Sequence, residues 1–229
     1  MSAGLAITRV VNASVLLELS EGAPLSDPCL DDRWYYGFSE PIGLRAHQLP
    51  RLAAILGGHG VFDHWQPASL VAYPYQSETP VLVATSPMAR KARAAGFEQV
   101  SLCEWGDVLS LPGGLRVEVV ASQVDLGLKS NNYVISSAGH RVFIGTEARE
   151  LEPLRRYRHV SPRVDIVLVP IGGTSVFGKK LVMDPADALE ATRILGGHTL
   201  IPIHYLHRSG RDRATLERSG SGAPSNPVQ

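Results

Sequence analysis

Gly57-Gly58-His59-Gly60-Val61-Phe62-Asp63-His64-Trp65 is the stretch on which the reading of this chain turns. It follows Leu52-Ala53-Ala54-Ile55-Leu56, an apolar run that reads as a short buried strand. Two glycines free the backbone, and two imidazoles and a carboxylate arrive immediately after. A loop at a strand end that carries such groups is where folds place a metal or an acid–base centre. Phe62 and Trp65 among them argue against a plain solvated surface.

Outward from this loop the chain reads as strands with a few helices. Leu5–Val11 and Ser14–Leu19 are aliphatic strands broken at Asn12-Ala13, and Leu25-Ser26-Asp27-Pro28 is a strand end stopped by its proline. Residues 29–50 form a long irregular connection rich in aromatics, which suits either a binding loop or plain packing. Pro67–Tyr73 reads as a short helix starting at its proline. Val81–Ala84, a helix over Met88–Ala95 behind Ser86-Pro87, and Gln99–Cys103 form a β-α-β unit. From Asp107 to Gly145 only strands are expected: Asp107–Leu111, Leu115–Ala121, Asn132–Ser136 and Arg141–Ile144. Val164–Pro170 reads as a strand buried on both faces. Asp184-Pro185 opens the clearest helix and Gly196-Gly197 closes it, and Thr199–Ile203 then delivers His204.

Bulk composition narrows the function classes. The chain has 229 residues, enough for one large domain or two small ones, and its 44% hydrophobic content supports a substantial core. Lysine plus arginine and aspartate plus glutamate both number 22, so the formal charge is zero and no electrostatic case exists for a nucleic-acid partner. No apolar run approaches the roughly 20 residues needed to span a bilayer. The first residues lack the pattern of a secretion signal, so a cytoplasmic location is expected. Cys29 and Cys103 stand far apart and outside any C-x-x-C pair, which leaves no zinc ribbon or redox motif. Arginine greatly outnumbers lysine, and alanine and glycine are abundant, a bias that suggests a GC-rich genome.

Taken together, these segments resemble the metallo-β-lactamase fold superfamily, in its branch of small metal-dependent hydrolases related to lactonases. The superfamily carries the loop motif H-x-H-x-D-H after a strand, matched here by His59-Gly60-Val61-Phe62-Asp63-His64. Asn12–Leu17 with Ser26-Asp27-Pro28 resembles its opening hairpin and T-D-P element, and Glu104-Trp105-Gly106-Asp107 its W-G-E turn. Phe143–Glu147 resembles the G-D-T element, and Met183-Asp184-Pro185 through Pro202-Ile203-His204-Tyr205 resembles the closing helix and strand. The likeness covers roughly residues 5–208. It implies an α/β fold, a four-layer αββα sandwich of two mixed β-sheets with outer helices, with the pocket at the strand ends. The expected domain spans residues 1–208, and the Ser/Gly/Pro-rich residues 209–229 are expected to be a disordered tail.

The departures from the family pattern carry as much information. The resemblance implies two metals, five histidines and two aspartates. The second loop histidine is Val61 here, the third ligand of that metal would fall near Ser122-Gln123, and the bridging aspartate is Thr146 with Glu147 beside it. His59 alone cannot hold an ion that needs three or four protein ligands. The second metal keeps Asp63, His64 and His204. These residues suit one zinc or ferrous ion, with Glu147 as a fourth ligand or general base. A metal-free cluster of His59, Asp63, His64 and His204 is the competing reading, able to do acid–base chemistry or merely to hold the loop. The expected function is a small-molecule hydrolase with at most one metal, and the composition bias with the incomplete ligand set suggests specialised-metabolite biosynthesis as its setting. The alternatives are a metal-independent lyase, dehydratase or cyclase, and a non-catalytic ligand-binding protein. Trp34, Tyr36, Trp65, Gln123 and Lys179 are the candidates for substrate contact. Cys29 suits a buried structural role better than a nucleophile's.

Overall fold

Strands arise where aliphatic and β-branched residues are bounded by turn residues, and their alternation decides which face each side chain occupies. A computed structural model describes residues 4–32, 37–38, 40–125, 128–176, 178–205 and 207–208. Two six-stranded sheets carry the fold. The first holds β1 (Leu5–Val11), β2 (Ser14–Leu19), β3 (Ala23–Ser26), β4 (Leu52–Gly57), β5 (Val81–Val83) and β6 (Val100–Leu102), side by side in that order. The second holds β7 (Val108–Ser110), β8 (Arg116–Asp125), β9 (Leu128–Ser136), β10 (Arg141–Ile144), β11 (Ile166–Pro170) and β12 (Thr199–Ile203), also in chain order.

Both sheets are mixed. Pairing is antiparallel through β1-β2-β3 and parallel through β3-β4-β5-β6. It is antiparallel through β7-β8-β9-β10 and parallel through β10-β11-β12. Parallel neighbours need crossover connections, and three of these contain helices. They are α1 (Ser86–Ala94) between β5 and β6, α2 (Glu152–Val160) between β10 and β11, and α3 (Pro185–Leu195) between β11 and β12.

Three apolar layers separate four layers of structure. Leu17, Ala54 and Leu56 of the first sheet meet Val117, Tyr133, Ile144 and Leu168 of the second. Ile55 and Val83 face outward to Met88 and Ala92 of α1. Val134, Phe143 and Val167 face outward to Leu154, Ala188, Ala191 and Leu195 of α2 and α3. The αββα sandwich that the family resemblance implies is therefore the fold.

Helix α3 is capped as its sequence indicates. The Asp184 carboxylate accepts the N–H groups of Ala186 and Asp187, Pro185 occupies the first turn, and Gly196 ends the helix at φ 72°. Helix α1 starts at Ser86, two residues before the expected Met88, and its N-cap is Thr85, outside the expected Ser86-Pro87 cap. Pro67–Leu70 is a 3-10 turn only. Helix α2 has no counterpart in the sequence reading, because Leu154 is its one fully buried residue. Two short ribbons complete the described structure, pairing Gly37–Phe38 with His207–Arg208 and Ser175–Val176 with Lys179–Lys180. Trp34, Tyr36 and the 209–229 segment lie outside the described residues.

Candidate functional site

The carboxyl ends of four strands meet at one rim of the sandwich. Asp27 directly follows β3, β4 runs into the His59–His64 loop, β10 leads to Thr146 and Glu147, and His204 directly follows β12. Two of these strands belong to each sheet, so the site is assembled across the sandwich.

Asp27 is fully buried and adopts φ 38°, a left-handed conformation uncommon outside glycine. Its Oδ1 accepts the Gly58 N–H, and its Oδ2 lies 2.9 Å from His64 Nδ1. That bond holds a proton on Nδ1 and turns Nε2 toward the other site residues. Gly58 has to be glycine, because a Cβ there would press into Thr146 Oγ1.

Four donor atoms converge ahead of His64. His204 Nε2 lies 2.8 Å from His64 Nε2, and the two rings are nearly parallel. Glu147 Oε2 lies 2.9 Å from His64 Nε2 and 3.6 Å from His204 Nε2. Asp63 Oδ2 lies 3.4 Å from His204 Nε2 and 3.8 Å from His64 Nε2. His59 stands beside them, its Nδ1 3.9 Å from Glu147 Oε1. The Asp63 and Glu147 side chains keep 14% of their surface open, while His64 keeps none.

Electrostatics follow from this crowding. Burial works against a charge on His64, but Asp63, Glu147 and the Asp27 hydrogen bond outweigh it and hold its pKa well above the ordinary value. Burial would raise Asp63 and Glu147, yet the positive His64 outweighs it, with help from His204, and both carboxyls titrate below their usual range. His59 moves the other way: burial and the neighbouring His64 charge depress it, so it is neutral near pH 7.

This donor set fits one divalent ion. Two imidazoles and two carboxylates are borderline-hard ligands suited to zinc or ferrous iron. Donors sharing one such ion at about 2.0–2.2 Å lie roughly 3–3.5 Å apart; the separations to the two imidazole Nε2 atoms run from 2.8 to 3.8 Å, and the residues close enough together to share an ion are Asp63 with His64 and His204, and Glu147 with His59 and His64. Glu147 Oε2 is buried and faces His64 Nε2 at 2.9 Å, and the two imidazole Nε2 atoms face each other at 2.8 Å, so ligand-type atoms stand close enough to share a cation. On the His59 side, Ser122 Oγ donates to Gln123 Oε1 and Gln123 Nε2 donates to the Glu147 carbonyl, so neither residue offers a histidine-like ligand there.

The structure thus brings Asp63, His64, His204, Glu147 and His59 together. Gln123 supports the backbone of Glu147. Trp65 is buried, donates its indole N–H to the Met88 carbonyl at 3.1 Å, and forms one wall of a groove of about 350 Å³ with Phe62 and Lys91. Lys179 lies in the ribbon paired with Val176. Cys29 is buried in the core beside the loop. Asp27 was not among the expected site residues. Its signal was a carboxylate wedged between an apolar strand and a proline, where a solvated aspartate has no evident reason to sit.

Comparison with known proteins agrees with this fold. Residues 25–205 match the family model described as the β-lactamase superfamily domain. The chain belongs to that family. Among solved structures, an isothiocyanate hydrolase from Delia radicum gut bacteria superposes with a TM-score of 0.71 at 18% identity, covering 93% of this chain and 92% of that one. Igni18, a metallo hydrolase from the archaeon Ignicoccus hospitalis, gives 0.67 at 16% identity, covering 94% and 91%. The diiron β-hydroxylase CmlA from Streptomyces venezuelae gives 0.71 at 17% identity, covering 89% of this chain and 45% of that one. At these identities the likeness concerns the fold. The search of curated proteins found no match. None of the described helices is long and apolar enough to cross a membrane.

Proposed function

We propose that this member of the β-lactamase superfamily is a small-molecule hydrolase built around a single divalent ion. The observation that carries the reading is the convergence of Asp63 Oδ2 and His204 Nε2 on His64 Nε2, with separations of 2.8–3.8 Å, and Glu147 Oε2 beside them at 2.9 Å from His64 Nε2. When bound, zinc or ferrous iron lowers the pKa of a water ligand and polarises a substrate carbonyl. Asp27 orients His64, and Gln123 steadies Glu147. His59 is neutral and stands next to Glu147, which makes it the group in place to accept or return a proton.

Protein purified without chelator should carry close to one equivalent of zinc or iron. Asp63→Ala and His204→Ala should each abolish retention. A stoichiometry near zero that added zinc or iron does not raise would sink the reading. One observation favours a second reading, a metal-independent lyase, dehydratase or cyclase. His64 Nε2 lies within hydrogen-bond distance of both His204 and Glu147, so the cluster can share a proton with no ion. Turnover that survives exhaustive chelation but is lost in Asp63→Ala would select it. Ligand binding without turnover would point to a non-catalytic protein.

A further inference from the structure

Asn12 occupies the turn between β1 and β2, fully buried, at φ 51°. Asparagine tolerates this left-handed conformation better than most residues. Its polar groups reach three separate segments. The backbone N–H donates to Glu40 Oε1 at 2.8 Å, the carbonyl accepts the His204 N–H at 3.2 Å, and Nδ2 donates to the Asp63 carbonyl at 3.2 Å. One residue therefore grips the backbones of two candidate ligands that come from opposite sheets. His204 is itself held at φ 52°, a conformation that persists only where the surroundings fix it.

Glu40 extends the linkage. It pairs with Arg9, whose guanidinium lies over the Tyr205 ring at 4.7 Å from its centroid. Gly37–Phe38 of the same connection pairs with His207–Arg208, just past His204. The connection between β3 and β4 is thus tied to the His204 strand end at two points.

We propose that Asn12 is a positioning residue that sets the spacing of Asp63 against His204, and that Glu40 couples this spacing to the 29–50 connection. The effect on ion affinity rests on the metal reading above, whereas the effect on imidazole geometry does not. The test uses Asn12→Gly, which keeps the left-handed turn and both backbone bonds but deletes the amide, together with Glu40→Gln. Tyr157→Phe is the control, because Tyr157 bonds Glu118 and Arg141 on the outer side of the second sheet. Three quantities are read on the full chain: zinc affinity by chelator competition, the cobalt(II) absorption spectrum, and the imidazole ¹⁵N signals of His64 and His204 in ion-free protein. Asn12→Gly should weaken zinc binding about tenfold, the lower end for groups that orient metal ligands, shift the cobalt bands, and move the His204 signals. Glu40→Gln should do the same more weakly. Tyr157→Phe should lower thermal stability and leave all three readings unchanged. Asn12→Gly with zinc affinity within twofold of the parent and unmoved imidazole signals would overturn the proposal. A parent protein that takes up neither zinc nor cobalt would instead refute the metal reading, and the imidazole signals would then decide the role of Asn12.

Discussion

Replacing Asp27 by Asn is the most searching perturbation of the site, because it changes charge and hydrogen-bond polarity but hardly changes shape. The carboxylate serves two donors, the Gly58 N–H and His64 Nδ1–H. An amide has one acceptor oxygen and one donor NH₂, so it cannot serve both. If the oxygen keeps Gly58, the NH₂ faces Nδ1 and forces the imidazole to carry its proton on Nε2, the atom that points at His204 and Glu147. If the oxygen keeps His64, the buried Gly58 N–H loses its acceptor. A hydrogen bond to a charged group contributes about 1.5–3 kcal/mol, and about 1.4 kcal/mol is a factor of ten. Zinc affinity should therefore fall about 10- to 100-fold, the range seen when a ligand's outer partner is removed. The imidazole should also titrate lower than in the parent, since the Asp27 bond is among the groups that hold it up. Competition against a chromophoric chelator measures the first, and an NMR titration of His64 the second. A correctly folded Asp27→Asn protein with parental zinc affinity and parental His64 titration would refute the tautomer argument.

Zinc uptake should release protons. His64 is protonated near pH 7 in ion-free protein because its pKa lies well above the ordinary value, and an ion requires it neutral. Affinity should climb with pH by up to about tenfold per unit until His64 deprotonates, and calorimetry in buffers of different ionisation enthalpy reads the proton count. The ion-free protein should also show opposed stability limits. The raised His64 stabilises below its unfolded pKa and loses that contribution as pH rises through its folded value. The depressed Asp63 and Glu147 stabilise above their unfolded values and lose it as pH falls through their folded ones. Melting temperatures across pH should fall at both ends, and zinc should flatten the alkaline side. Gly58→Ala should cost about 1–3 kcal/mol in urea unfolding, the usual range for overpacking, because its methyl meets Thr146 Oγ1 and the Asn131 carbonyl. Tyr133→Phe should cost about 1–3 kcal/mol by removing a buried donor, since the Tyr133 hydroxyl spans the sheets to the Gly57 carbonyl at 2.8 Å. An unchanged urea midpoint in either variant would refute its assignment.

What could be read along the chain was whatever local physics decides. Asp184, Pro185 and Gly196 cap α3 within a few residues of one another, so its ends were visible. Helix α2 was not, because Arg155, Arg156 and Arg158 dominate it and a single buried leucine gives no period. Asp63, His64 and His204 were recognisable from the motif they share with the family. Glu147 was uncertain, since only the course of the chain after β10 decides that Thr146 packs against Gly58 while the next side chain turns to His64. Asp27 and Asn12 act through partners far along the chain, and such pairings emerge only when the sheets close.

His64 and His204 are 140 residues apart and their ring nitrogens end 2.8 Å apart. Contacts of such separation carry a loop-closure cost and tend to form late. During synthesis the His59–His64 loop and Glu147 leave the ribosome before β12 exists, so the nascent cluster lacks His204. Closure of the His64–His204 pair therefore waits for the last strand of the sandwich. A chain terminated after α3 would keep all six strands of the first sheet and five of the six of the second and still lack the imidazole that faces His64.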